Sequence, residues 1–323
     1  MHILSSKIRY FVVFLTLIIF SCVPAKKKQT IPLFWPEGEG LPQLSFVAIY
    51  RGIADNPVVS LLAGPMIMER PYGVASDGNN LYVTDLSLRI VFVFDLKEKK
   101  SKVIGKGVLT LPMGVAVYKD RIMVTDTDKN SVVVMNKDGK PIMRFGQDVL
   151  KRPIGIAVSQ DGRVFVASML THKIEVFSAG GEHLYSIGGP GFDRDKLYMP
   201  LDVTIDRRGN LMVLDSGNKR VQVYDMKGRF IKTLIEDKKS GIAFERPKAV
   251  AVDGDGNVYV TDAMKNRFYV FSPEGKFLFR VGRAGRRRAR FQQPGDIFVD
   301  RNQMVFVSDQ LNARVQVFKH HSY

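Results

Sequence analysis

Residues 200–234 read Pro-Leu-Asp-Val-Thr-Ile-Asp-Arg-Arg-Gly-Asn (200–210), Leu-Met-Val-Leu-Asp (211–215), Ser-Gly-Asn-Lys-Arg (216–220), Val-Gln-Val-Tyr-Asp (221–225), Met-Lys-Gly-Arg (226–229) and Phe-Ile-Lys-Thr-Leu (230–234). Four short runs rich in β-branched and aromatic residues alternate with Gly, Asn and Asp turns, which reads as four strands. The unit recurs with a proline at its head: Pro71, Pro112, Pro153, Pro200, Pro247 and Pro294, spaced 41, 41, 47, 47 and 47 residues apart. Strand-rich repeats of this length belong to propellers or solenoids.

The turns support the same reading. Asp-Gly at 77–78 and 161–162, Arg-Gly-Asn at 208–210 and Asp-Gly-Asn at 255–257 separate first from second strands. Asp-Gly at 138–139, Lys-Gly at 227–228 and Glu-Gly at 274–275 separate third from fourth. Glycine accepts the positive φ that such turns require. No window of twelve or more residues beyond residue 30 carries a 3.6-residue period, so the chain is expected to be all-β with four antiparallel strands per blade. The last repeat has only three strands, Asp296–Val299, Met304–Ser308 and Arg314–Phe318. The missing strand is supplied by Leu44-Ser-Phe-Val-Ala-Ile-Tyr50, which is expected to close a ring of six blades and remove the free edges.

Val258-Tyr-Val-Thr-Asp262 with Lys265-Asn-Arg267 and Val270-Phe271 resembles the NHL repeat, and the pattern returns as Val307-Ser-Asp309 with Asn312-Ala-Arg314 and Val317-Phe318, and as Leu214-Asp215 with Asn218-Lys-Arg220 and Val223-Tyr224. The resemblance spans about 250 residues. It implies a six-bladed β-propeller with the loops between second and third strands on the same face as the loops between blades. The early repeats depart from it: Ile90, Ser131 and Lys173 stand where the later repeats have arginine, and Ser168 replaces the third repeat's aspartate.

Residues 1–21 read as a signal peptide of lipoprotein type. Lys7 and Arg9 precede an apolar run from Phe11 to Phe20, too short to span a membrane comfortably. Ile19-Phe-Ser-Cys22 resembles the bacterial lipobox, and Cys22 is the only cysteine, which points to lipidation there rather than to a disulfide. Residues 22–40 are expected to be a lipidated tether carrying Lys26, Lys27 and Lys28, and 41–323 the propeller. Val23 follows the cysteine, and by resemblance to bacterial sorting signals this favours an exported protein anchored at the outer membrane.

The net charge is +16, and about +14 without Lys7 and Arg9. Such an excess favours anionic partners: an acidic envelope protein, an anionic glycan or lipid head groups. Its densest part is Arg280-Val-Gly-Arg-Ala-Gly-Arg-Arg-Arg-Ala-Arg290. Arg283, Arg286, Arg287, Arg288 and Arg290 are expected to form, with Arg267 and Arg314, a basic patch on one sector of the upper face. NHL propellers of some animals bind RNA, but an exported chain meets little nucleic acid. Bacterial relatives of the repeat accompany envelope redox complexes, so the resemblance also allows a cytochrome partner.

Asp85, Asp126, Asp215, Asp262 and Asp309 recur once per repeat and are read as structural acceptors for loop backbone; Asp206, Asp253 and Asp300 sit at turns. The positions two residues past each proline read Gly73, Gly114, Gly155, Asp202, Ala249 and Asp296. Asp202 and Asp296, near Lys248, are therefore candidates for a site at the mouth of the central channel. The main reading is a non-enzymatic binding scaffold. The alternative is a metal-dependent hydrolase or lyase with its metal in the channel. Outside the targeting segment and the C-terminal tail only His172 and His183 are available, so a three-histidine zinc site cannot form, while calcium on oxygen ligands stays open. No nucleophile elbow or phosphate loop is present.

Overall fold

The structure is a computed structural model and describes residues 32–37, 41–53, 66–98, 100–237 and 239–322. Those residues form a six-bladed β-propeller without an α-helix; two single 3-10 turns, Thr127–Lys129 and Gln310–Asn312, are its helical elements. Five blades are four-stranded antiparallel sheets in simple chain order, with first strands starting at Pro71, Pro112, Pro153, Asp202 and Pro247. The hairpin turns form as the sequence requires: Gly209 and Gly256 sit at φ of +81° and +87°.

The second and third strands read as continuous apolar runs because both of their faces are covered by neighbouring blades. Leu211–Asp215 is buried at every position. Outer strands such as Phe230–Glu236 are only partly covered instead: Ile231 and Lys232 are exposed, and Leu234 and Ile235 are buried. Packing therefore concentrates at the seams. Between blades three and four, for example, Phe165, Ile174, Val176 and Ile187 meet Leu197, Val203, Leu211, Val213 and Tyr224. Each fully buried aliphatic or aromatic side chain contributes about 1.5–3 kcal/mol by leaving water.

The sixth blade closes the ring as expected. Leu44–Tyr50 pairs antiparallel with Arg314–His320, from Leu44 opposite His320 to Tyr50 opposite Val315. The sheet then gains a fifth strand, Phe34–Trp35, outside Leu44–Tyr50. Trp35, the only tryptophan, is buried and meets the Phe318 ring edge-on at 5.7 Å. The packed unit thus runs from Pro32, and the boundary expected at residue 41 moves upstream. An apolar strand beside a sheet edge gains ladder hydrogen bonds and burial together, which a solvated tether cannot offer. The signal peptide, Cys22 and the lysines at 26–28 lie outside the described residues.

Candidate functional site

Two regions of this frame carry unusual chemistry. The first is built around the recurrent aspartates that end the second strands. Asp85, Asp126, Asp215, Asp262 and Asp309 are fully buried. Each accepts backbone N–H groups from the loop entering its blade, as Asp262 does from Glu245 and Arg246 at 2.7 and 3.0 Å, and Asp309 from Gln292 at 2.7 Å. Ser168 does the same for Lys151 at 2.9 Å. These are structural acceptors, as their recurrence implies.

The arginines around them divide into two kinds. Arg314 is 1 % exposed. Its Nε donates to Asp309 at 2.6 Å, and its Nη groups donate to the carbonyls of Arg286, Arg287 and Arg290 at 2.8, 2.9 and 2.7 Å. Arg314 therefore clips the loop 282–293 from beneath and is not part of any binding surface, contrary to the sequence reading. Every donor of a buried guanidinium must find an acceptor, and three loop carbonyls and one carboxylate satisfy that need. Arg220 repeats the clip in blade four, donating to Asp215 and to the carbonyls of Phe192, Asp193 and Lys196. In blade two, where Ser131 replaces the arginine, Arg144 of the outer strand reaches in to Asp126, Ser131 and Val108.

Arg267 is the exception. It follows the segment 237–246, which lacks the three-carbonyl cradle, so its Nε donates only to the Lys265 carbonyl at 3.1 Å. Freed from a clip, it lines a groove of about 920 Å³ with Arg280, Arg283, Arg287, Arg288 and Arg290. Leu33, Trp35, Pro36, Phe277 and Phe279 supply its apolar wall, and Glu37 is its only acid. Among the described residues none of these six arginines has an ion-pair partner. Arg283, Arg286 and Arg287 are exposed; Arg288 lies over the Phe46 ring at 5.7 Å. The loop brings five of the seven arginines of the sequence reading to one sector, with Arg286 outside the groove lining and Arg314 beneath it. Arg280, which begins the arginine-rich segment, joins them in the groove; the aromatic wall was missing from the sequence reading, and a lone tryptophan in a lysine-rich stretch was the available signal.

The second region is the channel. First strands of all six blades line a cavity of about 250 Å³ that includes Asp202, Lys248 and Asp296, as the sequence placed them. Asp202 is buried and Asp296 half-buried between blades. Asp202 accepts the Val250 N–H at 2.8 Å, and Asp296 accepts those of Val74 and Ile297 at 2.8 Å each. Each ties its own blade to the next blade's first strand. Burial, then the charge of Asp296, holds the Asp202 carboxyl well above the usual carboxylate range. Burial also raises Asp296. Lys248 is pulled down to about 8, by burial first and then by the charges of Arg246 and Arg70. Tyr72, absent from the sequence reading, completes the mouth with Ile154 and Leu201, and burial and the two aspartates push its hydroxyl up.

A divalent cation fits this donor set poorly. Both carboxylates are spent on backbone N–H groups and resist ionisation, and a lysine lines the same cavity. Among the described residues no three His, Cys, Asp or Glu side chains gather as metal ligands. The two histidines serve the frame: His172 Nδ1 accepts the Met199 N–H at 3.0 Å, and His183 Nε2 meets Glu175 at 2.9 Å.

Sequence comparison matches residues 197–224 to the NHL repeat and residues 239–323 to a family described as a 6-bladed β-propeller. No curated protein matches the chain. Among solved structures, a structural genomics protein of unknown function from Bacteroides thetaiotaomicron shares 15 % identity, with 84 % of this chain and 76 % of that one covered and a TM-score of 0.65. A streptogramin B lyase shares 14 %, covering 85 % and 98 %, at a TM-score of 0.61. An auxiliary nutrient binding protein from Bacteroides thetaiotaomicron shares 13 %, covering 79 % and 70 %, also at 0.61. At these identities the likeness is one of fold. The chain is a six-bladed β-propeller with an NHL repeat at residues 197–224.

Proposed function

We propose that this propeller is a non-enzymatic binding module of the bacterial cell envelope, tethered to the membrane through Cys22, which holds an acidic protein or an anionic glycan in the arginine groove between blades five and six. The observation that carries this reading is the six-arginine, one-glutamate lining of that groove. Like charges gathered without counter-charges repel one another, and an anionic chain laid across them relieves that repulsion and releases bound counter-ions. The apolar wall of Trp35, Pro36 and the two phenylalanines gives such a chain something to pack against. A structural relative named as a nutrient binding protein is in keeping with a binding role.

The test is affinity capture from cross-linked envelopes of the host, with proteins and glycans identified by mass spectrometry. The native chain is compared with an Arg286→Ser, Arg287→Ser, Arg288→Ser variant. Capture of one dominant acidic species, weakened in the variant and less sensitive to salt, is the expected result. Equal capture by both chains removes the arginine loop from the function.

A further inference from the structure

Tyr72 and Lys248 hold equivalent places, one residue past the repeat proline, in blades one and five. Both side chains line the channel cavity. Among the described residues neither the Tyr72 hydroxyl nor the Lys248 ammonium has a hydrogen-bond or ion-pair partner. Among the described residues the sealed, unpartnered side-chain atoms are Asn218 Oδ1, Ser240 Oγ and Asn312 Oδ1, so the hydroxyl and the ammonium are not sealed from solvent. A half-buried ammonium without acceptors is costly and calls for an acceptor from elsewhere.

The surroundings specify that acceptor. Arg70 and Arg246 stand exposed immediately before the prolines of the same two blades, near enough for their charges to act on Lys248. The facing carboxyl groups of Asp202 and Asp296 are held toward their neutral forms by burial, so they oppose an anion weakly. We propose that the channel mouth binds a small oxyanion, a carboxylate or phosphate compound, on the Lys248 ammonium and the Tyr72 hydroxyl, with Arg70 and Arg246 guarding the entrance. The cavity, about 250 Å³, falls below the range of about 300–1,000 Å³ typical of drug-sized ligands, so the compound has few heavy atoms. The site is separate from the arginine groove and does not rest on the function proposed for it.

The experiment is isothermal titration of the full chain in mild detergent, at neutral pH and moderate salt, with succinate and with inorganic phosphate as separate probes. Four proteins are compared: native, Lys248→Met, Tyr72→Phe, and the Arg286→Ser, Arg287→Ser, Arg288→Ser variant. Saturable one-site binding of one probe is expected, and the probe that binds separates carboxylate from phosphate. Lys248→Met should weaken it at least about tenfold and Tyr72→Phe about threefold, since the ammonium adds an opposite charge to its hydrogen bond and the hydroxyl does not. The triple serine variant should bind as the native chain does. Lys248→Met removes a desolvated charge, so its thermal midpoint should not fall, which separates lost binding from lost folding. The proposal is overturned by the absence of saturable binding of either probe to the native chain, by binding that survives in Lys248→Met, by binding lost in the triple serine variant, or by saturable calcium binding that is abolished in an Asp202→Asn, Asp296→Asn variant.

Discussion

The loops 188–199 and 282–293 are the same piece of backbone carrying opposite surfaces. Both bend at a glycine held at large positive φ, Gly191 at +154° and Gly285 at +146°. Both close with a parallel bridge, Pro190 to Leu197 and Ala284 to Phe291. Each is clipped by an arginine of the following blade, Arg220 or Arg314, through three of its carbonyls. Yet one displays Phe192-Asp-Arg-Asp-Lys196 and the other Arg286-Arg-Arg-Ala-Arg290. Phe192 is 74 % exposed and leans on Tyr198, which stacks on His172. The clip reads carbonyl oxygens and not side chains, so loop surface is free to vary while loop shape is fixed. In this repeat, stability and recognition are carried by different atoms of the same residues.

The strongest way to break that separation is to remove a clip. Arg314→Ala leaves Asp309 buried without its counter-charge and the Arg286 carbonyl without a donor, while Gln316 and the Arg290 N–H still serve the other two carbonyls, and should cost about 3–5 kcal/mol, read as the loss of unfolding free energy in urea. Arg220→Ala should cost less, because the Arg220 side chain is 11 % exposed and water can replace part of what it gave. Equal losses would mean that exposure does not set the value of the clip.

The converse change touches side chains only. Replacing Arg286, Arg287 and Arg288 by serine should leave stability within about 0.5 kcal/mol, since Arg314 still finds the carbonyls. The same variant should bind a sulfated polysaccharide about tenfold or more weakly, with a shallower salt dependence, in a titration across sodium chloride concentrations. A drop in stability comparable to that of Arg314→Ala would refute the separation. Grafting Arg-Arg-Arg-Ala-Arg onto positions 192–196 tests it from the other side. A chain that still folds cooperatively and gains polyanion affinity supports a common scaffold for both surfaces.

A smaller effect is expected at Asn266, whose side-chain oxygen accepts the Gln293 N–H at 2.9 Å from a residue at φ +53°. Asn266→Ala should cost about 1 kcal/mol, part cap and part backbone strain, measured by thermal unfolding. Asn266→Gly loses the cap but tolerates the φ, so it should cost less.

The channel carboxyls give the mildest effect, with a definite sign. Asp202 is raised by burial and then by the charge of Asp296, and Asp296 by burial, so the folded state holds protons that the unfolded chain releases near pH 4. The stability this provides is fully present below about pH 4 and is lost as pH rises through the folded values. Asp202→Asn, Asp296→Asn should flatten that decline in melting curves taken from acid to neutral pH; an unchanged slope would show that the pair stays ionised.

Much of this was readable in the chain. The proline period, the turn glycines and the three-strand last repeat led to six blades closed by Leu44–Tyr50, because burial on two faces and tight turns leave local marks in sequence. Asp202 and Asp296 were visible as breaks in a repeating position, with Lys248 near them. The role of Arg314 was not, since an arginine beside an aspartate looks alike whether it faces water or three carbonyls. Tyr72 escaped for the same kind of reason: an aromatic after the repeat proline reads as core until the ring places it beside two carboxyls from blades four and six.

The sequence by itself determined the strands, the turns, the blade count and the excess of positive charge, all of which arise from patterns a few residues long. Only the tertiary structure decided which arginines are clips and which are free, that Phe34–Trp35 belongs to the last blade, and that Tyr72 and Lys248 share one cavity. Those outcomes depend on residues brought together across the ring, from opposite ends of the chain in the last blade, and the chemistry of a guanidinium or an ammonium is settled by the acceptors that folding puts within its reach.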